Sequence, residues 1–270
     1  MMKIDTFKHD DLDDFLAFAA RENWICGQWE FDFLLRHFPQ GCLTLRLDNS
    51  PVAFITAIKY EKSGWIGNLV VRNDLRRNGI GSALMEKALA ALLGAGARTV
   101  WLTASEAGRS IYERLGFGVI DNVTRWCGIG SGGGDGARGD CPKSAIMAID
   151  RAGWGDGRES ILSEALKRGT LAVCDGGFII SQPAAEGLQL GPWGTKKTEA
   201  ARILLAAVRA RAGEGTRLFL DAPAGNGDAS QLFQGQEFVI RGSSLLMYLG
   251  EKPAYEPERI YALASMGSMG

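Results

Sequence analysis

Residues 128–139 read GIGSGGGDGARG, and a stretch so poor in apolar side chains cannot contribute to a packed core. The chain on either side must bury apolar surface of its own, and each side is long enough to do so. In a chain of 270 residues this predicts two domains joined by a glycine-rich linker, with bounds 1–127, 128–142 and 143–270. The stretch formally contains G-x-G-x-x-G at Gly128, Gly130 and Gly133. No amphipathic helix follows promptly, so the context that a phosphate loop needs is missing.

The two sides repeat one order of periodic segments. Before the linker, helices are predicted at Leu12–Arg21 and Glu30–His37, then strands at Cys42–Leu47, Val52–Lys59 and Trp65–Val71. Gly81, Leu84, Met85, Ala88, Leu89 and Leu92 share one face of a long helix that stops at Gly94 and Gly96. A strand at Thr99–Thr103, a short helix at Ala107–Leu115 and a strand or strand pair at Phe117–Trp126 complete this half. After the linker come a helix at Glu159–Arg168 and a hairpin of Thr170–Cys174 with Gly177–Gln182. A short strand at Gly187–Leu190, a helix at Thr198–Ala212 and a strand at Arg217–Asp221 follow. A helix at Ala229–Gln234 and a terminal strand pair within Glu237–Leu249 end the series. The agreement is one of pattern and marks a degenerate tandem repeat.

Composition narrows the function classes. Hydrophobic residues make up 46% and charged residues 23%, as in ordinary globular chains. Lys and Arg number 30 against 31 Asp and Glu, and no segment is strongly basic, which argues against nucleic acid or an anionic membrane as partner. No apolar run approaches the roughly 20 residues of a membrane span, and Met1–Asp5 lacks the apolar core of a signal peptide. The expected location is the cytoplasm. Cys26, Cys42, Cys127, Cys141 and Cys174 form no C-x-x-C pair, and His9 and His37 each stand alone, so no metal site is expected.

The segment most specific for chemistry is Asn68–Leu84, NLVVRNDLRRNGIGSAL. A strand ends near Val71, a polar loop follows, and a helix opens at Gly79–Ser82. Backbone N–H groups at a helix start lack intrahelical partners, and the helix dipole adds positive potential there. Together they suit a pyrophosphate. Gly79 and Gly81 let a phosphate approach the backbone, and Arg76 and Arg77 add charge at the rim.

At these residues the chain resembles the GNAT superfamily of N-acetyltransferases. Arg76-Arg77-Asn78-Gly79-Ile80-Gly81 matches that family's Gln/Arg-x-x-Gly-x-Gly/Ala acetyl-CoA loop. Ser110-Ile111-Tyr112-Glu113-Arg114-Leu115-Gly116-Phe117 looks like its Tyr-Glu-x-x-Gly-Phe segment. The resemblance covers nearly all of residues 1–126. It implies an α/β (α+β) fold of two tandem domains, each a mixed, mostly antiparallel twisted sheet flanked by helices. It implies acetyl-CoA as cosubstrate, with its pyrophosphate on Arg76, Arg77, Asn78, Gly79, Ile80, Gly81 and Ser82. Leu69, Val70 and Val71 would pair through their main chain with the pantetheine arm, and Tyr112 would protonate the departing thiolate. Ser105 stands where relatives often have Asn, and Gly108 where they often have Ala; the Ser105 hydroxyl still bonds. Asn68 stands in the strand where many relatives carry a Glu base, and it cannot accept the proton. Glu30 and Asp32 border the expected acceptor pocket and read as solvated helix charges rather than bases. Trp24, Trp29 and Trp65 serve either that pocket or the core.

The second half resembles a degenerate GNAT domain. Leu188–Gly194 takes the place of the cofactor loop but lacks R-x-x-G-x-G, and Pro192 removes a backbone donor. Phe233 stands where Tyr112 would be. The layout resembles the bacterial YitH-type tandem proteins. The function implied is acetyl transfer from acetyl-CoA to a small-molecule or protein amine by direct attack in a ternary complex. The rival is a CoA-binding sensor or interaction module without turnover. The sequence leaves the acceptor, the base and the oligomeric state open.

Overall fold

The computed structural model describes residues 2–24, 26–134 and 141–270. The chain forms two compact units. The first comprises residues 1–102, 248–251 and 267–269, and the second residues 103–247 and 252–266 with Gly270.

In the first unit, β1 (Met2–Thr6), β2 (Leu43–Leu47), β3 (Ser50–Lys59) and β4 (Ser63–Val71) pair antiparallel in that order. β5 (Thr99–Ala104) then pairs parallel to β4. Parallel strands need a crossover, and α3 (Ile80–Gly94) supplies it. α1 (Leu12–Arg21) and α2 (Gln28–His37) precede β2. Side-chain alternation assigns the faces. A Cβ on Gly64 would meet Leu92 of α3, so that face of β4 carries α3. Phe54, on the other face of the sheet, packs against Phe15 and Phe18 of α1 and against Phe7. Phe7, Phe15, Phe31 and Phe54 are all essentially dry, with the Phe15 and Phe31 ring centroids 4.5 Å apart. Each such burial is worth about 1.5–3 kcal/mol.

In the second unit, β6 (Gly118–Ile129) and β10 (Arg217–Pro223) pair antiparallel over seven registered residues, Arg217↔Ile129 to Pro223↔Val123. β10 runs parallel to β9 (Gly187–Thr195), which continues antiparallel to β8 (Gly177–Ala184) and then β7 (Thr170–Cys174). β12 (Ile260–Ala262) adds to β9. α4 (Arg109–Arg114), α5 (Lys143–Trp154), α6 (Glu159–Arg168), α7 (Thr198–Arg211) and α8 (Gly227–Gly235) are its helices. β11 (Val239–Gly250) is the last long strand.

The long pairing with β10 counts residues 118–129 with the second unit. Residues 248–251 count with the first, where Glu251 N–H donates to Arg98 O at 2.9 Å and Thr99 Oγ1 donates to Glu251 O at 2.7 Å. The expected linker begins earlier in the sequence than irregular structure does. Gly128 and Ile129 close β6, and Gly130, Ser131, Gly132 and Gly134 donate backbone hydrogen bonds to Thr216, Arg209, Ala212 and Ala210. Residues 135–140 of that expected linker lie outside the described residues.

Several expected elements differ in extent. Of the two forms open for Phe117–Trp126 the single strand is present, and Glu237–Leu249 is a single strand rather than a pair. β9 runs on to Thr195, well past Leu190. β1, α5 and β12 were not expected. Among the described residues no helix is long and apolar enough to cross a membrane.

α5 is fixed by a buried ion pair. Arg158 donates from Nη2 to Asp150 Oδ1 at 2.7 Å and from Nε to Oδ2 at 3.1 Å, and its guanidinium lies 4.3 Å over the Trp154 ring. Both side chains are almost fully buried. Removing one partner strands the other charge. Asp150→Ala should therefore cost about 3–5 kcal/mol in urea unfolding. A double change, Asp150→Leu with Arg158→Met, should recover most of that loss.

Candidate functional site

The site in the first unit starts from a defect in the sheet. β4 registers with β5 only at Ser63↔Thr99, Gly64↔Val100 and Trp65↔Trp101. The β3–β4 register shifts between Phe54 and Thr56, and Asn68 takes a left-handed backbone with φ 56°. Asn tolerates that region better than most residues. Its buried amide donates to Thr56 Oγ1 at 3.0 Å, and that hydroxyl donates to Gly67 O at 3.3 Å. These bonds hold the bulge. Beyond it, Leu69, Val70 and Val71 stay paired with β3, through Ala53↔Val71 and Phe54↔Val70, while no β5 partner is registered on their other edge.

The chain leaves β4 through a single 3-10 turn at Asn73–Leu75 and reaches α3 through two left-handed residues, Arg77 (φ 64°) and Gly79 (φ 76°). Ala83 N–H donates to Gly79 O at 3.0 Å, which is the first bond of the α3 ladder. The N–H groups of Ile80, Gly81 and Ser82 precede that bond, no side chain caps the helix, and its first turn holds no acidic residue. A Cβ on Gly79 meets nothing within 4 Å; one on Gly81 would lie 3.8 Å from Val71 Cγ2 and 3.9 Å from Leu69 Cδ2. Gly79 is accounted for by its backbone angle, whereas packing does not require glycine at 81.

The two arginines differ. Arg76 turns back onto its own strand, donating from Nε to Val71 O at 2.9 Å and from Nη2 to Glu22 at 2.5 Å. It forms one edge of a small cleft lined also by Phe18, Arg21, Glu22, Val70, Val71, Arg72 and Asn73. Arg77 and Asn78 are exposed. Glu22, 54 residues from Arg76, carried no sequence signal for this role.

Glu30 is not a solvated charge. It is buried, with Oε1 accepting Gly27 N–H at 3.0 Å and Oε2 accepting the Ser268 hydroxyl at 2.5 Å. A carboxylate three residues into a helix can cap its start in this way. Asp32 is half-buried, with a carboxylate oxygen 3.4 Å from His9 Nδ1. Trp65 is in the core beside Trp101, while Trp24 is exposed.

Ser105 and Tyr112 belong to the second unit. Ser105 Oγ accepts Gly108 N–H at 3.2 Å, so its oxygen caps the turn that starts α4. Tyr112 lies within α4, with its ring edge-on to Phe117 at 6.2 Å. Burial pushes its phenol above the ordinary tyrosine range. The proton therefore stays on Tyr112 through neutral pH.

The same skeleton recurs with other groups. Phe117 N–H donates to Tyr112 O, and Phe238 N–H donates to Phe233 O, each five residues back; the Phe233–Phe238 rings lie 6.0 Å apart. Phe233 is fully buried and has no hydroxyl. The expected counterpart of the cofactor loop, Leu188–Gly194, is instead part of β9. Only Lys196 and Lys197 separate β9 from α7. The register drew the chain out as strand, pairing Leu190 with Ser181 and Trp193 with Ile179. The first turn of α7 also carries Glu199, an anion where α3 has none.

Residues 4–117 match the model of the acetyltransferase (GNAT) family, and residues 146–262 match that of an acetyltransferase (GNAT) domain. An uncharacterized N-acetyltransferase from Methanocaldococcus jannaschii is 28% identical over 143 residues, which is 43% of this chain and 61% of that protein. The match therefore spans less than two thirds of that relative. Among solved structures, a Pyrococcus horikoshii protein provisionally assigned as an acetyltransferase superposes with a TM-score of 0.86 at 22% identity, covering 99% of this chain and 95% of its own. A GCN5-related N-acetyltransferase from Sphaerobacter thermophilus gives 0.67 at 14% identity, covering 94% and 98%. Such low identities speak for the fold alone. The two family models lie one after the other and together take in most of the sequence, so the chain belongs to the GNAT acetyltransferases and carries two of their domains in tandem.

Proposed function

We propose that the first half of the chain, 1–127, binds acetyl-CoA and transfers its acetyl group to an amine, while 143–270 is a degenerate domain that has lost the cofactor loop. The observation that carries this is the start of α3. It offers three backbone N–H groups ahead of the first helical bond, no cap and no acidic first turn, beside a glycine that packing does not require. A pyrophosphate would take those donors and use the room at Gly81. Arg76, Arg77 and Asn78 border it, and Ser105 is a further cofactor contact by family resemblance. The free edge of Leu69–Val71 suits an amide-bearing arm, which pairs as a strand would.

The chemistry follows from these groups. The acceptor nitrogen attacks the thioester carbon as the free amine, the carbon–sulfur bond breaks, and by family resemblance the sulfur takes the proton of the Tyr112 hydroxyl; the nitrogen sheds its own proton to water, from which the phenol recovers one. Backbone N–H groups of the bulged strand polarise the thioester carbonyl as it gains charge. Holding both reactants together removes the entropy of their encounter.

A second reading, a CoA-binding module without turnover, draws on Asn68. Its amide is committed to Thr56, so β4 carries no base at that position. Tyr112→Phe separates the two. Enzymatic transfer predicts a fall in kcat of roughly 10²–10⁴ with unchanged acetyl-CoA affinity. A sensor predicts no turnover in either form. Because burial raises the Tyr112 phenol, the proton is present at every pH below the ordinary tyrosine value of 10, and the donor is lost only above it. The kcat profile should show no descending limb from this group between neutrality and that value.

Calorimetric titration of acetyl-CoA should give one site per chain. Gly81→Ala should leave the fold intact or stabilise it by about 0.5–1 kcal/mol, since alanine favours helix over glycine. The same change should weaken acetyl-CoA binding, and Gly81→Val should weaken it further. Unaltered affinity in both variants would remove α3 as the pyrophosphate site.

A further inference from the structure

The last residue of β4 faces away from β3. Arg72 N–H donates to Val52 O at 2.8 Å, and successive residues of a strand direct their main-chain groups to opposite sides. The N–H and C=O of Val71 therefore point to the edge that has no registered β5 partner. Arg76 closes that edge. Its Nε donates to Val71 O at 2.9 Å, so the guanidinium lies where the next bond of an added strand would form. Nη2 is taken by Glu22 Oε1 at 2.5 Å, and Nη1 makes no hydrogen bond among the described residues.

Three arginines line the cleft at this place, and they are not equivalent. Arg72 spends Nε and Nη2 on Asp74, at 2.7 and 3.0 Å, and the Arg21 guanidinium lies 5.8 Å from the Phe18 ring centroid. Of the three, only Arg76 joins a free-edge carbonyl to a carboxylate. Glu22 is the C-cap of α1, and the dipole disfavours a carboxylate at that end of a helix. The helix itself gives no reason for an acid there; Arg76 does.

We infer that Glu22 is a positioning residue of the cofactor site. It holds the Arg76 guanidinium at the end of the free edge, where the cofactor's arm leaves β4 for the donors at the start of α3. This rests on the acetyl-CoA reading above. An arm paired along Leu69–Val71 can use the Val71 N–H but finds the Val71 carbonyl spent, so it turns off the strand at that residue. The guanidinium is the first cation it then meets, with Nη1 left for a phosphate oxygen. A planar guanidinium fixed through Nε and Nη2 has its third nitrogen fixed too, which an ammonium cannot reproduce. The pair with Glu22 is 43% and 28% exposed, so its contribution is geometric and adds little to stability.

The test titrates acetyl-CoA into the whole chain by calorimetry. Glu22→Gln removes the charge that fixes the guanidinium and should weaken acetyl-CoA roughly two- to fivefold, the scale of an exposed pair. Arg76→Lys should weaken it at least as much. Adding Glu22→Gln to Arg76→Lys should cost nothing further, because Glu22 acts only through the guanidinium. S-acetylpantetheine, which carries no phosphate, serves as a competitor whose affinity should be the same in the parent chain and in Glu22→Gln. The melting temperature without ligand should also stay in place. Unchanged acetyl-CoA affinity in Glu22→Gln overturns the inference, and tighter binding overturns it by making Glu22 a rival of the phosphates. An equal loss for S-acetylpantetheine, or additive losses in the double variant, reduces Glu22 to a structural residue and overturns it as well. A parent chain that binds no acetyl-CoA defeats the acetyl-CoA reading and this assignment with it. A parent that binds, with Glu22→Gln matching it, defeats the assignment alone.

Discussion

The bulge at Asn68 is the constraint on which the first unit's site depends. A regular β4 would continue its parallel pairing with β5 and spend the main chain of Leu69–Val71 inside the sheet. The left-handed turn at Asn68, held by Thr56, instead ends that registered pairing at Trp65↔Trp101. Two side-chain hydrogen bonds thus hold the bulge beyond which the main chain has no registered β5 partner. A bulge costs regular pairing, and here its buried amide and hydroxyl offset that cost by satisfying each other.

The second unit shows what happens when the same skeleton keeps its bulge and loses its loop. The β8–β9 register also shifts, between Ile179 and Ser181, and Gln182 donates to Gly191 O at 2.7 Å across the irregularity. β9 and β10 run parallel, as β4 and β5 do. What differs is the passage into the next helix. Eight residues lead from Val71 to Ile80, giving the chain room to present its backbone; two lead from Thr195 to Thr198. Phe233 keeps the packing of Tyr112 against its phenylalanine and discards the hydroxyl. Between the two halves the contacts that build a core recur, while the loop and the hydroxyl do not.

That asymmetry explains what could be read from the sequence. Leu12–Arg21 and Glu159–Arg168 have the bounds that their apolar spacing predicts, because each buries one stripe and solvates the rest. β1 was not legible because neither face of Met2–Thr6 is fully buried; pairing with β2 creates it. α5 was hidden because Asp150, a charge, sits on its buried face.

The site divides along the same line. Its backbone part was legible, since glycines, a strand end and a helix start must be contiguous to work. Its side-chain part was not. Glu30 looks like an ordinary polar position of an amphipathic helix, yet it is buried and accepts from Ser268, 238 residues away, as well as from Gly27. Arg76 looks like a free cation and is held by Glu22. Pairings of this length leave no periodic trace, because they are selected by geometry at one point rather than along a face. Glycine behaves in the opposite way. Gly67 is explained once the overlying Gly267–Ser268 backbone is known, while Gly81 stays unexplained by every contact within the fold. Gly94 at the other end of the same helix is as free of contacts, so it is the coincidence of Gly81 with the uncapped start of α3, and not the glycine alone, that sets this position apart.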